Sequence, residues 1–199
     1  MGKGFQSPLA LIWGLSIVSV WAFLAIKLDQ PVFNTQASQD LVMFGAFKGR
    51  NLSLENGWRL FASQWLHVKF PHMMFNAVLI SLLATALNRQ TSARFVLLVG
   101  LGGGAVGQYF SALAYPSAFI SGASQAYLAL AGATIVLVNR KQAGWWVAVA
   151  GVVIAIALDV FVSSHGTIKI GHSTAFATGL VAATIIFARE RSKSPKAVD

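Results

Sequence analysis

Residues 122–138 read GASQAYLALAGATIVLV, an apolar run that opens on a glycine, a serine and a glutamine and contains no charged residue. A second run, GHSTAFATGLVAATIIFA at residues 171–188, opens in a similar way on a histidine. Uncharged apolar runs approaching about 20 residues are typical of membrane helices. The two runs therefore predict helices in a membrane, each beginning with a polar and chemically reactive side chain.

The composition of the whole chain agrees with lipid as its main solvent. Of 199 residues, 56% are hydrophobic and 11% are charged, whereas soluble domains carry roughly 25% charged residues. The absence of cysteine excludes disulfides and thiolate chemistry. The net charge of +9 is concentrated in short gaps between apolar runs, which favours membrane topology over nucleic-acid binding. We therefore expect the lipid bilayer as a partner and no nucleic acid.

Six apolar segments are long enough to be candidate spans, and they predict an all-α, polytopic membrane protein with a six-transmembrane-helix bundle. They cover residues 9–26, 72–87, 95–114, 124–138, 145–162 and 172–188. We expect one domain over 1–188, an outer loop at 27–71 with an interfacial segment, and a polar cytoplasmic tail at 189–199. Lys3 precedes the first run without a clear cleavage site after it, so the first segment is interpreted as a retained span.

The basic residues predict the orientation in the membrane. With a cytoplasmic N-terminus, the inner segments hold most of them, and both termini are cytoplasmic. The inner set is Lys3, Arg89, Arg94, Arg140, Lys141, Arg189, Arg191, Lys193 and Lys196. The second, fourth and sixth spans then begin near the outer leaflet. Polar side chains within spans usually face a bundle interior or a water-filled cavity, so we expect one shared outer cavity for His67, His72, Asn76, Ser124 and His172.

Ser124 and His172 are candidates for a nucleophile and its base. A serine hydroxyl is a weak nucleophile that requires an adjacent base, and Gly122 permits a tight turn before it. Ala175 and Gly179 lie four residues apart, and such small residues allow two helices to approach closely. Taken singly, the serine also fits an N-cap or a packed helix interface, and the histidine fits an interfacial or packed position.

His72 and Asn76 lie four residues apart and share one helix face, where both would donate hydrogen bonds to a developing oxyanion. His67 and His72 lie five apart, without an HExxH pattern, which argues against a metal site. Asp159 is the one acid well inside a predicted span. Because it falls near the outer end of the fifth segment, we expect it to be interfacial and solvated, with no catalytic role.

These patterns together resemble the rhomboid family of intramembrane serine proteases. The resemblance extends over roughly residues 55–185 and is carried by four ordered motifs. They are Trp58-Arg59, His67-Val-Lys-Phe-Pro-His72-Met-Met-Phe-Asn76, Gly122-Ala123-Ser124, and His172 with Ala175 and Gly179.

The resemblance implies a Ser–His dyad without a third acidic member and without metal or cofactor. Ser124 would be the nucleophile and His172 the base, while His72, Asn76 and the Ser124 N–H would form the oxyanion hole. We also expect supporting roles for His67, Tyr127, Gln125 and Gly122. The implied substrates are transmembrane segments of other proteins, cut near the outer surface, and the short chain favours the bacterial inner membrane.

Three positions depart from the family pattern. Gln125 stands where glycine is usual, Tyr127 lies three residues after the serine rather than four, and Ala175 replaces a common glycine. These departures leave open a catalytically inactive rhomboid-like protein that binds membrane segments. A small transporter or channel is a third alternative, but it would more often show repeats or broken helices with internal charges.

Overall fold

The structure is a computed structural model that describes residues 8–163 and 166–193. The predictions for Lys3 and for residues 194–199 of the tail lie outside these residues. The described part is mostly helical. Its α-helices are α1 (Leu9–Lys27), α2 (Arg59–Ala62), α3 (Phe70–Asn88), α4 (Ala93–Ala114), α5 (Ser124–Leu137), α6 (Ala143–Val162) and α7 (Ile170–Lys193). A π-helical turn lies within α4 at Leu98–Gly102, and another ends α6 at Leu158–Val162.

Five helices of the described chain are long and apolar enough to cross a membrane, namely α1, α3, α4, α6 and α7. Their outward faces carry large apolar side chains, for example Leu11, Phe23 and Phe161, as expected for contact with lipid. The remaining apolar helix, α5, has 14 residues, which falls short of the roughly 20 residues of a full span.

The short helix α5 forms the centre of the bundle. Every residue from Ser124 to Thr134 is buried, and α5 contacts α3, α4, α6 and α7. Its closest neighbour is α7, because small residues face each other across the contact. A Cβ on Gly132 would clash with the Phe176 carbonyl, and a Cβ on Gly179 would clash with the Ala129 carbonyl. The expected small-residue approach of these two helices is therefore present.

The segment between α1 and α3 is largely ordered as short helical turns. Beside α2, it contains 3₁₀ turns at Asp40–Phe44, Gly49–Asn51 and Ser63–Trp65. The guanidinium of Arg59 donates to the carbonyls of Val42 and Ala46 and lies 4.7 Å from the centroid of the Trp58 ring. The Trp58-Arg59 motif thus links two parts of the segment between α1 and α3.

A small antiparallel ladder, which the all-α prediction did not include, joins this loop to the segment before α5. Strand β1 (Phe47–Lys48) pairs with β2 (Phe119–Ile120). The last helix also differs from the prediction, since α7 continues to Lys193 rather than ending at residue 188. Charged side chains in its final turns do not break a helix that has already left the apolar region.

Candidate active site

One cavity of about 450 Å³ lies where α3, α5 and α7 begin and where α4 and α6 end. Its polar walls are formed by His72, Ser124, Gln125, Asp159, Lys169 and His172. The structure therefore brings the polar starts of three helices to the same end of the bundle. Of the five residues expected to share the cavity, His72, Ser124 and His172 line it, whereas His67 and Asn76 are buried and do not.

Ser124 and His172 are in direct hydrogen-bond contact within this cavity. The Ser124 Oγ lies 2.9 Å from the His172 Nε2, which is within the distance expected of a nucleophile and its base. Ser124 is the first residue of α5 and is 5% exposed. The close α5–α7 packing holds the two side chains together from opposite walls.

Both backbone polar groups of Gly122, in the turn before Ser124, are hydrogen bonded. Its N–H donates to the Ser63 carbonyl, and its carbonyl accepts a bond from the Gln108 side chain, both at 2.9 Å. Its φ is +111°, a backbone conformation that favours glycine. A Cβ here would lie 3.5 Å from His72 Cε1, an ordinary contact, so the conformation and not the space requires glycine.

Gln125 contacts the serine directly. Its Oε1 lies 3.0 Å from the Ser124 Oγ, and its Nε2 lies 3.5 Å from the Ser111 Oγ. A serine hydroxyl has one proton to donate. In this arrangement the Gln125 carbonyl and the His172 ring compete for that proton, a consequence of the departure from glycine at this position.

His67 accepts a hydrogen bond from the backbone of Ala123, the residue before the serine. Its Nε2 accepts the Ala123 N–H at 3.2 Å and an Asn76 Nδ2 proton at 2.9 Å, and its Nδ1 faces the Trp65 carbonyl at 3.3 Å. Two donors on Nε2 require the ring proton to be on Nδ1. Burial, helped by nearby His72, lowers the pKa of His67 to about 3. The ring is therefore neutral at physiological pH and acts as a fixed acceptor.

His72 and Asn76 lie next to His67. The Asn76 Nδ2 also lies 3.2 Å from the His72 Nε2, and the rings of His67 and His72 meet edge to face at 5.6 Å. His72 lines the cavity with Ser124, whereas Asn76 is fully buried. In this state both amide protons of Asn76 are directed at imidazoles.

Asp159 contradicts the expectation of a solvated interfacial residue. It is 1% exposed, and its Oδ2 lies 2.6 Å from the His172 Nδ1 and 3.0 Å from the Lys169 backbone N–H. Its Oδ1 lies 3.1 Å from the Lys169 Nζ. The signal that would have found it is the small-residue stripe Ala148, Gly151 and Ala155, which continues to Asp159 at spacings of three and four.

Tyr127 and Ala175 occupy packed positions around the pair. Tyr127 lines the cavity and meets the Phe75 ring edge to face at 5.8 Å. Ala175 is fully buried, and a Cβ on Gly107 would lie 2.9 Å from the Ala175 Cβ. Among the described residues, no group of three or more His, Asp or Glu side chains is arranged to hold a metal ion.

Comparison with known proteins points to the rhomboid family, which the sequence motifs resemble. A family model of the rhomboid domain matches residues 54–189. The Bacillus subtilis (strain 168) protein named "Putative rhomboid protease YdcA" is 37% identical over 125 residues, which are 61% of this chain and 60% of that protein. "Rhomboid protease GluP" from the same organism is 30% identical over 129 residues, 63% of this chain and 24% of that protein. The match thus spans less than two thirds of either relative.

The chain belongs to the rhomboid family, since the family model matches more than half of it. Its five long apolar helices make it an integral membrane protein.

Proposed function

We propose that this protein is an intramembrane serine endopeptidase that cleaves transmembrane segments of other proteins, with Ser124 as nucleophile and His172 as base. The observation that carries the proposal is the 2.9 Å contact between the Ser124 Oγ and the His172 Nε2 inside a cavity of the bundle. The two relatives are both named rhomboid proteases, which supports the same reaction class.

Acylation follows from this contact. The Ser124 Oγ bonds to the carbonyl carbon of the scissile peptide while its proton passes to the His172 Nε2. The resulting tetrahedral intermediate collapses by breaking the C–N bond. The leaving amine takes the proton from Nε2, and an ester on Ser124 remains.

Deacylation repeats the proton transfers with water. A water oxygen bonds to the ester carbon and gives its proton to the His172 Nε2. Collapse breaks the C–Oγ bond, and Oγ recovers the proton. The net reaction consumes one water and yields a carboxyl and an amine terminus.

Stabilisation of the oxyanion falls to donors next to Ser124. The first N–H groups of a helix have no partner within it, and the Ser124 N–H belongs to this group at the start of α5. His72, on the cavity wall, is the second proposed donor. Asn76 donates only if the substrate draws one amide proton away from an imidazole, since both are engaged in this state.

The cavity favours an unwound substrate. An intact helix with side chains is about 10–12 Å across, and a cavity of about 450 Å³ does not admit one. The scissile residues must therefore leave the helix before cleavage. Segments with Gly, Pro or other poor helix formers near the cut do so at the lowest cost.

The test compares the protein in proteoliposomes containing a fluorogenic transmembrane-segment substrate with its variants Ser124→Ala and His172→Ala. Both variants are expected to lose about 10³-fold or more in kcat. The matched control is Ser192→Ala, which changes an exposed serine whose hydroxyl donates to the Arg189 carbonyl. Cleavage by Ser124→Ala at the wild-type rate would refute the assignment of Ser124 as the nucleophile.

An inactive binder of membrane segments is the second candidate, favoured by the competing Ser124–Gln125 contact at 3.0 Å. It predicts that wild-type protein binds the labelled segment without cutting it, and that Ser124→Ala binds it equally well. Product formation that depends on Ser124 excludes this candidate.

We also propose six spans in the bacterial inner membrane with both termini cytoplasmic. Because the sequence contains no cysteine, the orientation can be tested with single introduced cysteines. Gln90→Cys, in the turn after α3, and Ser117→Cys, after α4, are labelled with a membrane-impermeant maleimide in intact cells. Labelling of residue 117 and protection of residue 90 are expected, and the reverse pattern would invert the topology.

A further inference from the structure

The buried carboxylate of Asp159 fixes the orientation of the His172 ring. Its Oδ2 lies 2.6 Å from the ring Nδ1, the length of a strong, charge-assisted hydrogen bond. Asp159 is 1% exposed, and a buried carboxylate is retained only where it is paired or hydrogen bonded. His172 provides one of those partners.

The same bond determines which ring nitrogen carries the proton. An ionised carboxylate only accepts hydrogen bonds, so the Nδ1 of His172 must be the donor. In the neutral ring, Nε2 then has a free lone pair directed at the Ser124 Oγ, 2.9 Å away. This is the tautomer that a general base requires. The opposite tautomer would place a proton between Nε2 and the serine and block the transfer.

Asp159 is itself held in place by groups other than His172. The Lys169 backbone N–H donates to Oδ2 at 3.0 Å, and the Lys169 ammonium lies 3.1 Å from Oδ1. Asp159 lies in the π-helical turn Leu158–Val162 at the end of α6. Such turns are frequent at functional sites. Here the carboxylate points into the bundle, to the start of α7, rather than to lipid.

We propose that Asp159 is a positioning residue that holds His172 in the Nδ1–H tautomer and stabilises the imidazolium formed when Ser124 gives up its proton. The inference rests on the proposed protease function. It replaces the two-residue arrangement implied by the family resemblance with a Ser124–His172–Asp159 relay. The carboxylate remains ionised throughout, and no proton is transferred to it.

The kinetic test removes the carboxylate in two ways. Asp159→Ala deletes the acceptor of the Nδ1 proton, and kcat is expected to fall about 10⁴-fold. Asp159→Asn has the same shape, but its amide can donate to Nδ1 and favour the wrong tautomer, so a fall of about 10⁴-fold is expected here as well. KM should stay within about threefold in both, because the effect lies in the proton transfer.

Asp40→Asn is the matched control, since it makes the same change at a carboxylate that accepts a bond from Gln30 in the outer loop. It should retain wild-type kcat. If both Asp159 variants keep the wild-type kcat while Ser124→Ala is inactive, the role proposed for Asp159 is wrong. The protease assignment then still stands. If Asp159→Ala fails to fold, the isosteric Asn variant carries the comparison alone.

A spectroscopic readout is independent of proteolysis. In ¹⁵N-histidine-labelled Ser124→Ala protein, we expect the His172 ring proton on Nδ1, with the strong downfield shift of a short bond to a carboxylate. The Ser124→Ala/Asp159→Ala double variant should lose that signal. A proton on Nε2 in the single variant would refute the inference whether or not the protein cleaves membrane segments.

Discussion

Replacing Gly179 with alanine tests whether the α5–α7 contact sets the geometry of the site. A Cβ at this position would lie 2.7 Å from the Ala129 carbonyl carbon and 3.0 Å from its Cα, and it would clash with the carbonyl oxygen. Optimal carbon contacts are about 3.5–4.0 Å, so the helices must separate by roughly 1 Å. The obstacle is backbone, which no change of side-chain rotamer relieves.

The expected cost has two parts. Overpacking of this kind costs about 1–3 kcal/mol of stability. Misplacement of reacting groups by about 1 Å costs about 10²-fold in rate. His172 lies seven residues before Gly179 on the same helix, about two turns away on the same face, so the separation is transmitted to the Ser124–His172 contact.

Gly102→Ala is the control, because a Cβ there would have no neighbour within 4 Å and its φ of −68° is helical. Thermal unfolding in detergent and the rate of Ser124 labelling by a fluorophosphonate are measured for both variants. Gly102→Ala should match or slightly exceed wild-type stability. Equal stability and equal labelling in the two variants would refute the reasoning.

Two further predictions concern single side chains. Gln125→Ala removes the acceptor that competes for the serine proton, and kcat should rise by up to about 10-fold, the equivalent of one neutral hydrogen bond; a lowered kcat would mean that the amide assists the reaction. His67 has a folded-state pKa of about 3 against an ordinary value of 6.5, so the unfolded chain binds more protons between these values and stability falls as pH drops through that window. The unfolding midpoint should therefore decrease on acidification from pH 6.5 to 4, and less so in His67→Gln, whereas identical pH profiles would contradict the assignment.

The helical elements and the Ser124–His172 encounter were predictable because both follow from one-dimensional patterns. Apolar run length sets the spans, and alternation of sides brings every second helix start to the same end of the bundle. Small residues such as Gly132 and Gly179 then indicate which helices approach closely. These constraints act locally along the chain and are legible without tertiary information.

Asp159 departs from the expectation because depth along a helix does not specify which way the side chain faces. Its position near the end of α6 suggested water, but the small-residue stripe from Ala148 through Ala155 faces the bundle and carries Asp159 inward. The contact of Gln125 with the serine depends on a rotamer set by Ser111 and α4, which no sequence pattern specifies. Likewise, two-residue strands such as β1 have too little alternation to be recognised.

The shortness of α5 connects the fold to the proposed chemistry. A helix of 14 residues rises about 21 Å, against a hydrocarbon core of about 30 Å. If α5 ends near the inner surface, Ser124 lies below the outer one, and the turn before it runs at membrane depth. Irregular backbone is tolerated there only when protein or a water-filled cavity satisfies its polar groups.

The turn before Ser124 meets that condition with its own hydrogen bonds. Ser63 and Gln108 satisfy both backbone groups of Gly122, and His67 accepts the N–H of Ala123. Under the proposed topology, the space above the start of α5 lies over the serine on the outer side, where the water needed for the proposed deacylation can reach it. Lengthening α5 to a full span would fill this space, so the proposed reaction favours a short central helix.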